Sequence, residues 1–103
     1  MEDYQRGLIG QMAARLDLYD SGEVSLPKLV EDLRGLFDAA DPHELSVRDS
    51  FQWLWADLDA ESELRTEPWA PPGLADDAHL SGILHGLRSW VTSVTEATYP
   101  GSA

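Results

Sequence analysis

The chain has 103 residues, 43% hydrophobic and 25% charged, which suits one compact domain with one core and argues against disorder of the whole chain. Nineteen Asp and Glu against seven Lys and Arg give a formal net charge of -12. Such a surface repels nucleic acid and anionic membrane and attracts basic partners over about 10 Å at 0.1 M salt, while the lack of cysteine excludes disulfides, thiolate metal sites and cysteine nucleophiles and makes a reducing cytoplasm the expected compartment.

Glu2, Asp3, Arg6, Arg15 and Asp17 interrupt the apolar positions of the first stretch, which is wrong for a signal peptide, and no window approaches the roughly 18 apolar residues that a bilayer span needs. At about 100° of rotation per residue, Leu8, Ile9, Met12, Leu16 and Tyr19 share one side of a helix. They predict a first helix from Tyr4 to Asp20, ended by Ser21-Gly22. Ser25 is a good N-cap with Pro27 in the first turn behind it. Leu26, Leu29, Val30, Leu33, Leu36 and Phe37 then form the stripe of a second helix, from Leu26 to Ala39, with Gly35 on its opposite side.

Asp41-Pro42-His43-Glu44 reads as an N-cap, a proline at the first helical position and a capping-box acid. Ser46 to Asp49 offers a second capping box, so residues 42–45 also read as a separate turn before a main third helix from Val47 to Leu64. Val47, Phe51, Leu54, Trp55 and Leu58 share its core arc. Pro68, Pro71, Pro72 and Gly73 forbid a helix between Thr66 and Ala75 and make a short, semi-rigid connection. Asp76 or Asp77 then caps a fourth helix that faces inward with Leu80, Ile83, Leu84, Leu87, Trp90, Val91 and Val94. Four amphipathic helices on mostly short loops predict an all-α, single-domain antiparallel four-helix bundle. Residues 1–96 form this acidic domain and residues 97–103 a frayed tail.

Chemistry is sparse. His79 and His85 lie about 120° apart on their helix and His43 stands at a helix start, so none has the spacing of a chelating pair. No Gly-rich phosphate loop, nucleophile elbow or zinc motif is present, and Asp57-Leu58-Asp59-Ala60-Glu61 lacks the turn glycine of a calcium loop. The chain is therefore expected to be no enzyme and to need no cofactor or metal.

What stands out is acid on the third helix: Asp49, Asp57, Asp59, Glu61 and Glu63, with no Lys or Arg between Arg48 and Arg65. With the core arc inward, Trp53 points to the opposite side, flanked one turn away by Asp49 and Asp57, with Glu61 a further turn along. An aromatic among carboxylates suits a binder of a basic surface, because the ring offers buried area or a cation–π contact and the acids offer charge pairs. The candidate partner-binding residues are thus Asp49, Trp53, Asp57, Asp59, Glu61 and Glu63. The competing assignment for Trp53 is a ring covered by the proline-rich segment or the chain ends. Trp69 likewise either anchors its loop on the bundle or serves as a contact for a partner.

Leu18-Tyr19-Asp20-Ser21-Gly22-Glu23-Val24-Ser25 leading into Leu29-Val30-Glu31-Asp32-Leu33, followed by Phe51 and Trp55-Ala56-Asp57-Leu58-Asp59, resembles small bacterial immunity proteins, the cognate inhibitors of contact-dependent or colicin-like toxins. The resemblance covers residues 8–95 and implies a non-catalytic inhibitor that binds one toxin domain, often a basic nuclease, and occludes its active site with acid in place of nucleic-acid phosphates. Six Arg to one Lys, with many Ala, Gly, Asp and Leu, points to a GC-rich bacterial genome. A second segment, Arg48-Asp49-Ser50-Phe51 with Leu54 and Leu58, resembles acyl carrier proteins and implies Ser50 as a phosphopantetheine site, although Val47-Arg48 replaces the usual glycine before Asp-Ser. A third alternative is an interaction or regulatory module that forms a homodimer through Trp53 or Trp69.

Overall fold

The computed structural model describes residues 2–66 and 76–96; the proline-rich connection, Trp69 within it and the expected tail at 97–103 lie outside the described residues. It contains α1 (Asp3–Asp20), α2 (Leu26–Ala40), α3 (Leu45–Thr66) and α4 (Asp77–Glu96), each packed on the next and α4 closing against α1. The described residues form an all-α bundle of four helices. Its antiparallel sense follows from who meets whom: Gln5 at the start of α1 hydrogen-bonds Ala40 at the end of α2, Phe37 late in α2 stacks on Phe51 early in α3, and Phe51 meets Trp90 late in α4.

The helices start and stop where side chains satisfy their free ends. Ser25 Oγ accepts from the Lys28 N–H at 3.3 Å, and Asp76 Oδ1 accepts from the Ala78 N–H at 2.9 Å. Both caps were legible from residue type. Asp41 was not: it adopts φ 46° and ψ 56°, in the left-handed region, and donates its N–H to the Phe37 carbonyl at 2.9 Å. It therefore ends α2 instead of capping the third helix, using the tolerance of Asp for that conformation. The third helix in turn begins at Leu45, ahead of the expected Val47, so Ser46 to Asp49 lies inside the helix and caps nothing.

The core is built from the expected stripes. Ile9, Met12, Leu16, Leu29, Leu33, Phe51, Leu58 and Leu87 are completely or almost completely buried. At its centre Phe37 and Phe51 stack with ring centroids 4.0 Å apart, and Trp90 tilts against Phe51 at 5.3 Å. Such aromatic pairs add about 0.5–1.5 kcal/mol each beyond the area they bury. Leu8, Tyr19, Leu36, Val47, Leu54, Trp55 and Leu84 are half-buried around this centre. Gly86 marks the close approach of α4 to α3, where an added Cβ would stand 3.2 Å from Leu54 Cδ2.

Polar links join helices that hydrophobic contact alone would leave free to slide. The Trp90 indole N–H donates to Ser50 Oγ at 2.8 Å, and the Trp55 indole N–H donates to the Val30 carbonyl at 2.9 Å. Buried Gln5 donates to the Ala40 carbonyl at 2.9 Å while its own Oε1 accepts from the Glu2 N–H at 2.7 Å. Arg88 of α4 reaches Asp17 at 2.8 Å and also Asp20, both in the last turn of α1. There it offsets the repulsion between two carboxylates and the negative end of the helix dipole. Those hydrogen bonds, Asp17 first, hold the guanidinium pKa above its ordinary value.

Candidate protein-interaction face

The rotation of α3 divides its side chains between two tasks. Phe51 and Leu58 turn fully inward with Leu54 and Trp55 half-buried beside them, which leaves the opposite side of the helix to solvent. Trp53 stands there with 76% of its surface exposed. A large aromatic left this open on a helix whose other face fills the core is anomalous, because the default fate of a tryptophan is substantial burial; among the described residues Leu45 and Tyr4 are the other large hydrophobics left exposed. The described residues leave Trp53 open, and the proline-rich segment and chain ends that the competing assignment sets over it lie outside the described residues.

Asp49 and Asp57, one turn before and one turn after Trp53, are exposed and lie within about 40° of it around the axis. Ala56 and Ala60 are exposed on the same side, so a narrow apolar strip runs along the helix between the acids. A shallow depression beside the indole is lined by Asp49, Gln52, Trp53 and Ala56. A second groove, between α2 and α3, shares Asp49 and Gln52 with it and is further lined by Arg34, Phe37, Asp38, Asp41 and Arg48.

The other sequence candidates do not join this face. Glu63 is exposed but lies about 80° away around the axis, and Asp59 is half-buried about 120° away. Glu61 is not a surface acid at all: it is 3% exposed. Its Oε1 accepts from the Asp76 N–H at 3.0 Å and from Arg65 Nη2 at 3.3 Å, and Arg65 also pairs with Asp77 at 2.9 Å. This junction ties the last turns of α3 to the first turn of α4. Burial lowers the Arg65 pKa, but the hydrogen bonds and charges of Asp77 and Glu61 outweigh it and leave the guanidinium above its ordinary value. The expected contact role of Glu61 gives way to an internal one, because its position three residues after Leu58 continues the core line of the helix.

The cations of the chain are engaged elsewhere. Six of the seven, namely Arg6, Lys28, Arg34, Arg48, Arg65 and Arg88, form ion pairs with other acids, and among the described residues none pairs with Asp49, Asp57, Asp59 or Glu63. Lys28 is typical: its hydrogen bond to Asp32, with the charges of Asp32 and Glu31, raises its pKa. The acid beside Trp53 is thus uncompensated within the described fold.

Ser50, the residue singled out by the acyl-carrier resemblance, sits within α3, half-buried, with its Oγ accepting from Trp90 and in reach of the Ser46 carbonyl at 2.7 Å. Its hydroxyl is engaged in packing α4 onto α3. His43, His79 and His85 are exposed, and among the described residues no group of three or more His, Asp or Glu could hold a metal ion. No helix of the described residues is long and apolar enough to cross a membrane. No family model matches the sequence, and no curated protein or solved structure matches it either.

Proposed function

We propose that this chain is a non-catalytic, acidic binding protein that docks a basic protein partner on the outward face of α3, in the manner of a bacterial immunity protein that neutralises its cognate toxin domain. The single observation that carries the proposal is Trp53, 76% exposed between two carboxylates that have no ion-pair partner among the described residues. An exposed indole supplies the anchor area typical of interface hot spots, and unpaired acid supplies both steering and register. The net charge of -12 extends that attraction over the whole molecule. Occlusion of a nuclease site by this surface follows from the same complementarity, since a site built for phosphates is itself basic.

Pairing of this face with itself in a homodimer would set Asp49 and Asp57 of one copy against the acids of the other, which the charge disfavours. The test is capture of the tagged protein's partner from its source cells at low salt, identification by mass spectrometry, and titration of the purified pair. A basic domain retained in near-stoichiometric amount, released by high salt and silenced in its own toxic activity, is the expected result. Asp49→Lys with Asp57→Lys should weaken that complex by more than about tenfold with the helical circular dichroism unchanged. Unaltered affinity in the double reversal would remove the α3 face from the proposal.

A further inference from the structure

We infer that the depression beside Trp53 is a seat for an arginine side chain of the docking partner, an inference that rests on the α3 face being the docking surface and adds the chemistry of its central contact. The molecule already contains one such arrangement with its arginine in place. Arg34 lies with its guanidinium carbon 5.2 Å from the Trp55 ring centroid, donates from Nη1 to Gln52 Oε1 at 2.9 Å and from Nε to Asp38 at 3.3 Å. A tryptophan face, an amide oxygen and a carboxylate thus surround one planar cation.

Two residues back along the helix a second ring and a second carboxylate stand without a cation beside the same amide, Gln52, whose Oε1 accepts from Arg34 and has a second lone pair to offer. Trp53 supplies the ring, Gln52 the amide and Asp49 the carboxylate, and all three line one depression whose remaining wall is the small side chain of Ala56. Ala56 matters because a longer side chain one turn from the indole would fill the space beside the ring. The resident cations cannot take the place: Arg34 is held on Trp55, Gln52 and Asp38, while Arg48 is held on Asp41 and on the Pro42 carbonyl at 3.2 Å. Asp57 on the other side of the ring adds charge without closing the seat.

The components select arginine over lysine. A guanidinium is planar, is more weakly hydrated than an ammonium, stacks on an indole and can donate to a carboxylate and an amide at once, whereas an ammonium stays strongly hydrated and gains little from a flat ring. The carboxylates attract either cation. The ring and the amide distinguish them.

The experiment is a titration of the full chain with two probes matched in charge, hexa-arginine amide and hexa-lysine amide, followed by the NMR signals of the Trp53 indole N–H and of the backbone amides of residues 49–57. The expected result is that hexa-arginine binds about five- to tenfold more tightly than hexa-lysine and shifts the Trp53 indole signal. Trp53→Leu should bring the two affinities to within about twofold of each other, and Asp49→Asn should weaken both probes. Equal affinities, with shifts still centred on α3, would overturn the arginine seat and leave the basic-partner reading of the face standing. Arginine preference that survives Trp53→Leu would also overturn the seat. Shifts centred away from residues 49–57 for both probes would overturn the seat and the docking face together.

Discussion

Trp53 and Phe51 are two residues apart on α3, both aromatic, and should respond oppositely to truncation. Trp53 has 76% of its surface exposed, so only about a quarter of a tryptophan's roughly 250 Å² is covered, or about 60 Å². At about 25 cal/mol per Å² that covering contributes at most about 1.5 kcal/mol. Alanine's better helix propensity returns about 0.5 kcal/mol, so Trp53→Ala should cost no more than about 1 kcal/mol and lower Tm by no more than about 8 °C. Phe51 is 0% exposed and stacked on Phe37, so Phe51→Ala should cost about 3–5 kcal/mol, a large share of the 5–15 kcal/mol available to a small domain. The comparison is made by thermal and urea unfolding followed by far-UV circular dichroism, with partner affinity measured in parallel. Trp53→Ala should leave a folded protein whose partner Kd rises about 30-fold or more, as expected of a hot spot worth about 2 kcal/mol. A Tm loss for Trp53→Ala equal to that for Phe51→Ala would show that the indole is covered, and an unchanged Kd would remove it from the contact.

Other changes probe how the scaffold holds that face in place. Ser50→Ala removes the hydroxyl that accepts from the Trp90 indole N–H and should cost about 1–3 kcal/mol; an unchanged urea midpoint would show that the indole N–H has another acceptor. Arg65→Met strands the buried Glu61 carboxylate and should cost about 1–3 kcal/mol, with much of the loss recovered when Glu61→Gln is added. Additive losses in that cycle would show that the two side chains do not act as a pair. Gly35→Ala should stabilise by about 0.5–1 kcal/mol, raising Tm, because Gly35 is mid-helix and a Cβ there meets nothing within 4 Å. A fall in Tm would contradict the open surface at that position.

The fold was legible because the hydrophobic stripes repeat at helical spacing and Ser25 and Asp76 are strong caps, so element type and order followed from local pattern. The polar residues that the sequence reading misplaced or passed over have separate causes. Asp41 sits before Pro42 as an N-cap would, yet the chain has to leave α2 before it can enter α3, and Asp41 makes that exit in the left-handed region. Gln5 carries nothing in its neighbourhood to mark it as buried, and only the packing of α1 on the end of α2 gives its amide the Ala40 carbonyl. Glu61 did carry a local signal: it stands three residues after Leu58, with Arg65 four residues further on, so it continues the core line with a cation in reach. Reading acid as surface by default concealed it. For Trp53 helical rotation decides the side of the helix, opposite Phe51 and Leu58, but rotation alone leaves open whether another part of the chain covers the ring.

That placement separates the electrostatic and the apolar contributions of the face along one helix. Asp49 and Asp57 are exposed charges, so their attraction acts across solvent, speeds encounter and fades as the screening length shrinks to about 8 Å at physiological salt. Trp53 contributes nothing until a partner group lies against it, and what it then contributes is contact area and stacking, which salt screens far less and which governs how long the complex lasts. An acidic surface alone would meet many basic proteins and release them all. An exposed indole alone would be a small apolar patch with no preference for charge. Held one turn apart on a helix whose other side is locked by Phe51 and Leu58, they would make, on the proposed reading, a rigid face in which steering selects for basic partners and the ring retains those that present a flat cation at the right place.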